Sequence, residues 1–301
     1  MDAATVYRPP HALDVRLTLS ALRRGAGDPT HVVDATGVWR TALTPDGPAT
    51  LHLSRQASGA VVAAAWGPGA RWLVGAVPDL LGARDDPRGF LPAHRLLREA
   101  AKRHAGLRLT RTGLVFEMLV PAVLEQKVTG VEARRSWREL IVRHGLPAPG
   151  PAPQRMRVFP PPDVWRRLPS WEWHRSGVDG ARVQAIAGAA AVAGRLERTL
   201  ESGAQEGQRV LRSIAGVGAW TAAEVIQRSH GDPDAVSVGD YHIPALVGWA
   251  LSGRAVDDDG MLRLLAPYRG HRHRCVRLLE LSEVGPPRRG PRLAPRDYRA
   301  C

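Results

Sequence analysis

The spacing of apolar residues changes along this chain, and the change restricts it to a sheet in the first part and helices in the rest. From Asp14 to Trp66 apolar and polar residues alternate, with Val15, Leu17 and Leu19 against Arg16, Thr18 and Ser20, then Leu51 and Leu53 against Thr50, His52 and Ser54. Turn residues separate the runs: Gly27-Asp28-Pro29, Thr44-Pro45-Asp46-Gly47 and Ser58-Gly59. Residues 1 to about 70 therefore read as a small antiparallel sheet. After Pro78 the spacing turns helical, through Leu80, Leu81, Leu91, Leu96 and Leu97 to Ala101. From Thr112 to Val284 strands disappear, and Phe116, Leu119, Val120, Val123 and Leu124 mark the stripe of a core-facing helix. The expected fold class is α+β, a small N-terminal antiparallel β-sheet domain with helices followed by an all-α domain. The proline-rich stretch 146–162 is expected as an extended connector inside the helical part.

These boundaries give a sheet domain over 1–110, a helical domain over 111–284 and a basic tail over 285–301. The tail holds five arginines and four prolines and has too little apolar surface to fold alone. At 301 residues, 44% of them hydrophobic, the chain is long enough for two cores. Its two cysteines, Cys275 and Cys301, exclude a disulfide framework, an iron-sulfur cluster and an all-cysteine zinc site. The formal net charge of +13 favours polyanionic partners, either nucleic acid or an anionic membrane face, and also suits a merely basic or ribosome-associated protein. Only Lys102 and Lys127 are lysines, which limits where amine chemistry is available. The N-terminus has no basic stretch leading into an apolar run, and no segment approaches the roughly 18 apolar residues of a membrane span. An intracellular location is expected.

The most informative segment runs from Val210 to Ile226, where an amphipathic helix enters Gly216-Val217-Gly218 and another helix begins at once. Two glycines around one small apolar residue allow a tight reversal with positive φ, and they leave backbone N–H groups at the next helix start uncovered. Such groups suit a phosphate oxygen. A bare Gly-x-Gly equally fits an ordinary helical hairpin with a C-cap glycine. Two downstream segments change the odds: a turn at His230-Gly231-Asp232-Pro233, then Val238-Gly239-Asp240-Tyr241, which sets Asp240 at the entrance of a further helix. Aspartate there is also a common N-cap, and the two roles are compatible when one oxygen caps and the other faces a cleft.

The segments Ile214-Ala215-Gly216-Val217-Gly218-Ala219-Trp220-Thr221-Ala222 and Val238-Gly239-Asp240-Tyr241 resemble the helix-hairpin-helix DNA glycosylase superfamily. Ala219-Trp220-Thr221-Ala222 and the N-terminal sheet look most like its bacterial 3-methyladenine glycosylase II branch. The resemblance implies Asp240 as the catalytic carboxylate. It also implies Gly216, Gly218, Ala219 and Thr221 as phosphate-binding hairpin positions, and Trp220 and Tyr241 as base-binding aromatics. Val123-Leu124-Glu125-Gln126-Lys127-Val128-Thr129 matches the loop that fills the gap left by a flipped nucleotide, with Gln126 kept and Lys127 at the wedge position. A carboxylate suits the chemistry, because breaking the bond between base and sugar develops positive charge on the sugar. No cofactor or metal is required.

Some relatives form a Schiff base through a hairpin lysine, and Trp220 occupies that position here. The implied activity is monofunctional hydrolysis of the N-glycosidic bond of an alkylated or otherwise modified purine in base excision repair. The implied protein is a monomer acting on damaged double-stranded DNA, without a membrane partner, in the nucleoid-associated cytoplasm. Lys127 and Glu125 depart from the family's loop, and Leu265 stands where a third pocket tryptophan is expected, two residues before Pro267-Tyr268-Arg269. These departures keep open a non-catalytic DNA-binding protein on the same scaffold, and a bifunctional lyase using Lys127. Trp171 and Trp173 read as core. His271 and Cys275 share a helix face without a third ligand, and Asp257-Asp258-Asp259-Gly260 reads as a helix cap and loop.

Overall fold

In the computed structural model, which describes residues 1–282 and 284–285, five strands form one antiparallel sheet. They are β1 (Ala3–Tyr7), β2 (His31–Val33), β3 (Val38–Thr44), β4 (Gly47–Arg55) and β5 (Val61–Trp66), ordered β1-β5-β4-β3-β2. Alternation decides the faces: Ala49, Leu51 and Leu53 of β4 and Val61, Ala63 and Ala65 of β5 are all buried on the core side. The opposite side carries Trp39, stacked on Trp66 at 5.8 Å and close to His52 at 4.1 Å.

Two sequence expectations for this part are corrected. The alternating run Val15 to Leu19 is a helix, α1, not a strand. Asp14 caps it by accepting the Leu17 N–H at 2.9 Å, and Val15, Thr18 and Leu19 bury one helical face. Five residues are too few to separate period 2 from period 3.6, and the cap decides. The switch to helix also comes earlier than Pro78. Helix α2 (Ala70–Leu80) starts after Gly67-Pro68-Gly69 and contains that proline. Gly67 turns the chain at φ +97°, where a Cβ would stand 2.5 Å from the Pro48 carbonyl oxygen. Leu91 is 81% exposed in the loop before α3 (Arg95–Arg103).

The helical part opens with α4 (Val115–Leu124), buried at every position and not only along the expected stripe. A helix apolar all round belongs at a centre. Its one acid, Glu117, accepts from Arg40 of β3 at 2.7 Å and from the Leu43 N–H at 3.2 Å, pinning helix to sheet. Helix α5 (Gly130–His144) begins at a Thr129–Glu132 capping box. The connector 146–162 is extended, but it also forms a two-residue ladder of β6 (Leu146–Pro147) with β7 (Arg157–Val158), so strands do not wholly disappear after Thr112.

Helices α6 (Pro162–Arg167), α7 (Ser170–Arg175), α8 (Gly180–Ala191), α9 (Ala193–Glu197) and α10 (Thr199–Ser202) come next. Then come the hairpin pair α11 (Ala204–Arg212) and α12 (Ala219–Ser229), and finally α13 (Ile243–Ser252), α14 (Asp258–Leu265) and α15 (Arg272–Glu280).

The buried apolar residues fall into two clusters. One joins the sheet to α2, α4, α8 and the hairpin helices. The second combines Leu97, Ala100 and Leu107 with Val247, Met261, Leu265, Tyr268, Val276 and Leu279. A buried Arg274–Asp85 pair fixes α15 to the segment between α2 and α3. Among the described residues no helix is long and apolar enough to cross a membrane. Of the tail expected over 285–301, residues 286–301 lie outside the described residues.

Candidate active site

The hairpin reverses at Gly216, whose φ of +82° needs glycine and whose missing side chain lets the turn approach Ala185 of α8, 2.9 Å from where a Cβ would stand. Gly218 differs from the expectation: its backbone is extended, at φ −89° and ψ −174°. A Cβ there would meet nothing within 4 Å, so the space in front of it is open. Gly218 is the N-cap of α12 and offers no side-chain cap. The first intrahelical bond is Ala222 N–H to the Gly218 carbonyl, which leaves the amides of Ala219, Trp220 and Thr221 as helix-end donors.

Gln126, just beyond α4, braces this turn. Its amide donates to the Gly216 carbonyl at 2.9 Å and to the Thr221 hydroxyl at 2.7 Å. Thr221 is 2% exposed and its hydroxyl faces inward, so it presents its backbone amide, not its side chain, at the hairpin. Lys127, next to Gln126, is exposed and holds φ at +53°. It is the described non-glycine residue in the left-handed region, a conformation costing roughly 1 kcal/mol or more.

Asp240 reaches the hairpin from the loop before α13. Its Oδ1 accepts the His242 and Ile243 N–H groups at 2.7 and 2.9 Å, and its Oδ2 accepts the Trp220 indole N–H at 2.8 Å. One oxygen thus takes the amides at the start of α13, whose N-cap is His242, while the other is tied to the hairpin helix. Three donors leave about one of the carboxylate's four acceptor positions open. The loop is held on both sides. Gly239 N–H donates to Asp258 at 3.1 Å, and Ser237 donates to Glu224 of α12 at 2.5 Å. Gln227 donates to the Ala235 carbonyl and the Ser237 hydroxyl. Asp257 caps α14 through the Gly260 N–H, as its sequence suggests.

Trp220 and Asp240 open onto a cavity of about 240 Å³ between α12, the Asp240 loop and α15. Sequence reasoning missed most of its lining: Glu125, Glu224, Arg228, His273, Arg277 and Glu280. Glu224 carried the one available signal, since it lies one helical turn beyond Trp220 on the same face. Its carboxylate pairs with Arg228 at 2.8 Å, Arg277 pairs with Glu280, and Arg24 pairs with Glu125 at 2.9 Å. Burial works against the charge of Arg228, but Glu224, Glu125 and Glu280 outweigh it and raise its pKa.

Tyr241 is not among the lining residues. It is 91% exposed, with its ring edge-on to His242 at 4.9 Å. Gln126 and Lys127 are also outside the cavity, on the hairpin side. Leu265 is fully buried in the second core, so no aromatic takes its place at the site. Trp173 is core, as expected, whereas Trp171 is 68% exposed. Among the described residues no three His, Cys, Asp or Glu side chains are grouped to hold a metal ion, and Cys275 is buried.

The fold that carries this sheet, hairpin and aspartate is shared with solved structures of DNA glycosylases. The chain is similar to a 3-methyladenine DNA glycosylase from Archaeoglobus fulgidus, at 17% identity and a TM-score of 0.77 over 92% of this chain and 98% of that one. It is also similar to the 8-oxoguanine glycosylase/lyase of Clostridium acetobutylicum, at 12% identity and a TM-score of 0.70 over 93% and 96% of the two chains. The same enzyme with duplex DNA containing cytosine opposite 8-oxoguanine gives a TM-score of 0.69 at 13% identity, over 93% and 94%. No family model matches the sequence, and no curated protein does.

Proposed function

We propose that this protein is a monofunctional DNA glycosylase of base excision repair, hydrolysing the N-glycosidic bond of a modified purine extruded from duplex DNA. The carrying observation is the placement of Asp240, fixed by three N–H donors in the lining of a cavity beside the open hairpin. The hairpin amides take a backbone phosphate, and Lys127 takes the gap in the stack or the phosphate beside it. The base enters the cavity past Trp220.

As the C1′–N bond breaks, its electron pair leaves with the base, and positive charge grows on the sugar next to the Asp240 carboxylate. Water then forms the new C1′–O bond and gives up a proton, either to Asp240 or to the departing base. Because the Trp220 indole and the helix amides already hold the carboxylate, little reorganisation remains when charge develops. Trp220 has no amine, and Lys127 lies outside the cavity, which favours hydrolysis over a Schiff base.

Asp240→Asn is expected to lose base release by about 10³-fold or more while still binding duplex. Mass spectrometry of bases released from damaged duplexes, with gel-shift binding in parallel, measures both. Undiminished release by this variant rules out the assignment. Borohydride trapping of a covalent protein–DNA adduct would replace hydrolysis with the lyase reading.

A further inference from the structure

The exposed face of α5 carries two arginines that neither the hairpin nor the cavity uses. Gly130, Arg134 and Arg138 follow one another at intervals of one helical turn, and all three are exposed. The stems of the arginines lie over the loop that joins α1 to β2. A Cβ on Gly25, where φ is +86°, would stand 2.5 Å from Arg134 Cδ, and one on Gly27 would stand 3.3 Å from Arg138 Nη1. Two residues without side chains thus make room for the two arginines. The loop is itself pinned to α5, because Asp28 accepts the Arg24 N–H at 2.6 Å, the Thr30 N–H at 2.9 Å and the Trp137 indole N–H at 3.0 Å.

The carboxylates nearest this face are occupied or buried. Asp28 is 1% exposed, Glu132 is buried in the capping box and Glu125 is paired with Arg24. Among the described residues the ion pairs of α5 are those of Arg143 and His144, toward its other end, with Glu139 and Glu172. The stripe therefore presents positive charge to solvent. It is also continuous with the hairpin. Both α12 and α5 pack on α4, and the Gln126–Lys127 loop at the end of α4 joins the two: Gln126 holds the Gly216 carbonyl at 2.9 Å, and Lys127 stands two residues before Thr129, the N-cap of α5. From Gly130 to Arg138 the stripe leads away from Lys127 for about 12 Å of helix.

We propose that Arg134 and Arg138, laid on the Gly25–Gly27 loop, hold phosphates of the undamaged strand, while the hairpin amides hold the strand that bears the modified base. This rests on the glycosylase reading above and adds the second strand as a partner of named residues. Guanidinium groups suit phosphate oxygens, and such contacts fix the position of a duplex without reading its sequence. A duplex held on both strands keeps its register while one nucleotide leaves the stack.

The test is binding to an abasic-site duplex and to the damaged strand alone, each over a range of salt. The double variant Arg134→Gln/Arg138→Gln is expected to bind the duplex roughly 10- to 100-fold more weakly, with a salt slope lower by about two, and to bind the single strand as the wild type does. Arg134→Lys/Arg138→Lys, which keeps both charges, is expected to retain the slope. Uncharged methylphosphonate linkages in the undamaged strand are expected to weaken wild-type binding and to leave the glutamine variant's unchanged. Thermal melting reports whether each variant is folded, and the uncharged linkages test the wild-type chain without any variant. An unchanged duplex affinity in the folded glutamine variant, equal losses on duplex and single strand, or wild-type binding indifferent to the uncharged linkages overturns this inference and leaves the glycosylase reading standing. The expected losses without base release from any damaged duplex overturn the glycosylase reading alone. No binding of the wild-type chain to any duplex overturns both.

Discussion

At the residue scale, Lys127 and Asp240 show two ways in which local chemistry marks a site. Asp240 follows local rules: it accepts the first amides of a helix, and it lines the cavity with acceptor capacity to spare. Lys127 breaks a rule, since its left-handed backbone suits glycine. Lys127→Gly is expected to stabilise the fold by about 1 kcal/mol, raising the melting midpoint by roughly 2–4 °C, and to slow base release. An unchanged or lower midpoint would show that no strain is held there.

The place of Asp240 beside the hairpin was legible in the sequence because a motif and a helix start coincide. The positions of Tyr241 and Thr221 were not. Adjacent loop residues point to opposite sides, which leaves Tyr241 in solvent, and Gln126 draws the Thr221 hydroxyl inward. His273 was illegible for another reason. It meets Trp220 through folding, from a helix far away in the chain, and no local pattern records that meeting, whereas Glu224 was marked by its spacing from Trp220.

At the element scale, α4 carries the central constraint, with Glu197 at its start and the Gln126–Lys127 loop at its end. Glu197 accepts the Val115 and Phe116 N–H groups at 2.8 and 2.9 Å. Burial pushes its carboxyl up to about 7, Glu117 adds to the rise, and the two amides oppose it. The folded chain therefore holds this proton at higher pH than the unfolded chain, whose ordinary value is 4.5. Stability from this group is fully present below about pH 4.5 and is lost as pH rises through about 7. Glu197→Gln is expected to flatten the fall in urea midpoint between pH 5 and pH 8. An identical slope in both proteins would place the titration elsewhere.

The helix itself was readable from its spacing, but its burial on all sides was not. Glu117 looks like a solvent-facing position until Arg40 of β3 is brought against it. The run Val15 to Leu19 failed in the opposite direction, because alternation over so short a span carries no decision against a capping aspartate.

At the scale of the whole molecule, the change of period and the charge of +13 were both plain in the sequence, and the charge bears on the proposed binding of DNA. Duplex affinity is expected to fall at least about tenfold between 50 and 200 mM salt, the effect of roughly two neutralised phosphates. A salt-independent affinity would remove the phosphate-bound hairpin from the proposal. The division into two apolar clusters was less accessible, because the second one takes α3 from the first third of the chain and its partners from the last.

That second cluster also has an order in time. The apolar face of α3, with Leu97 at its centre, leaves the ribosome long before Val247, 150 residues later (247 − 97). Until the stretch from Val236 onward is synthesised, Leu17, Phe90 and Leu107 are the members of the cluster outside α3 that can cover this face. The wall of the cavity that holds His273 is made later than α3 and α13. A chain cut short before α13 is therefore expected to expose the apolar face of α3 as well as to lack the cavity, and to be cleaved by a protease faster than the full chain.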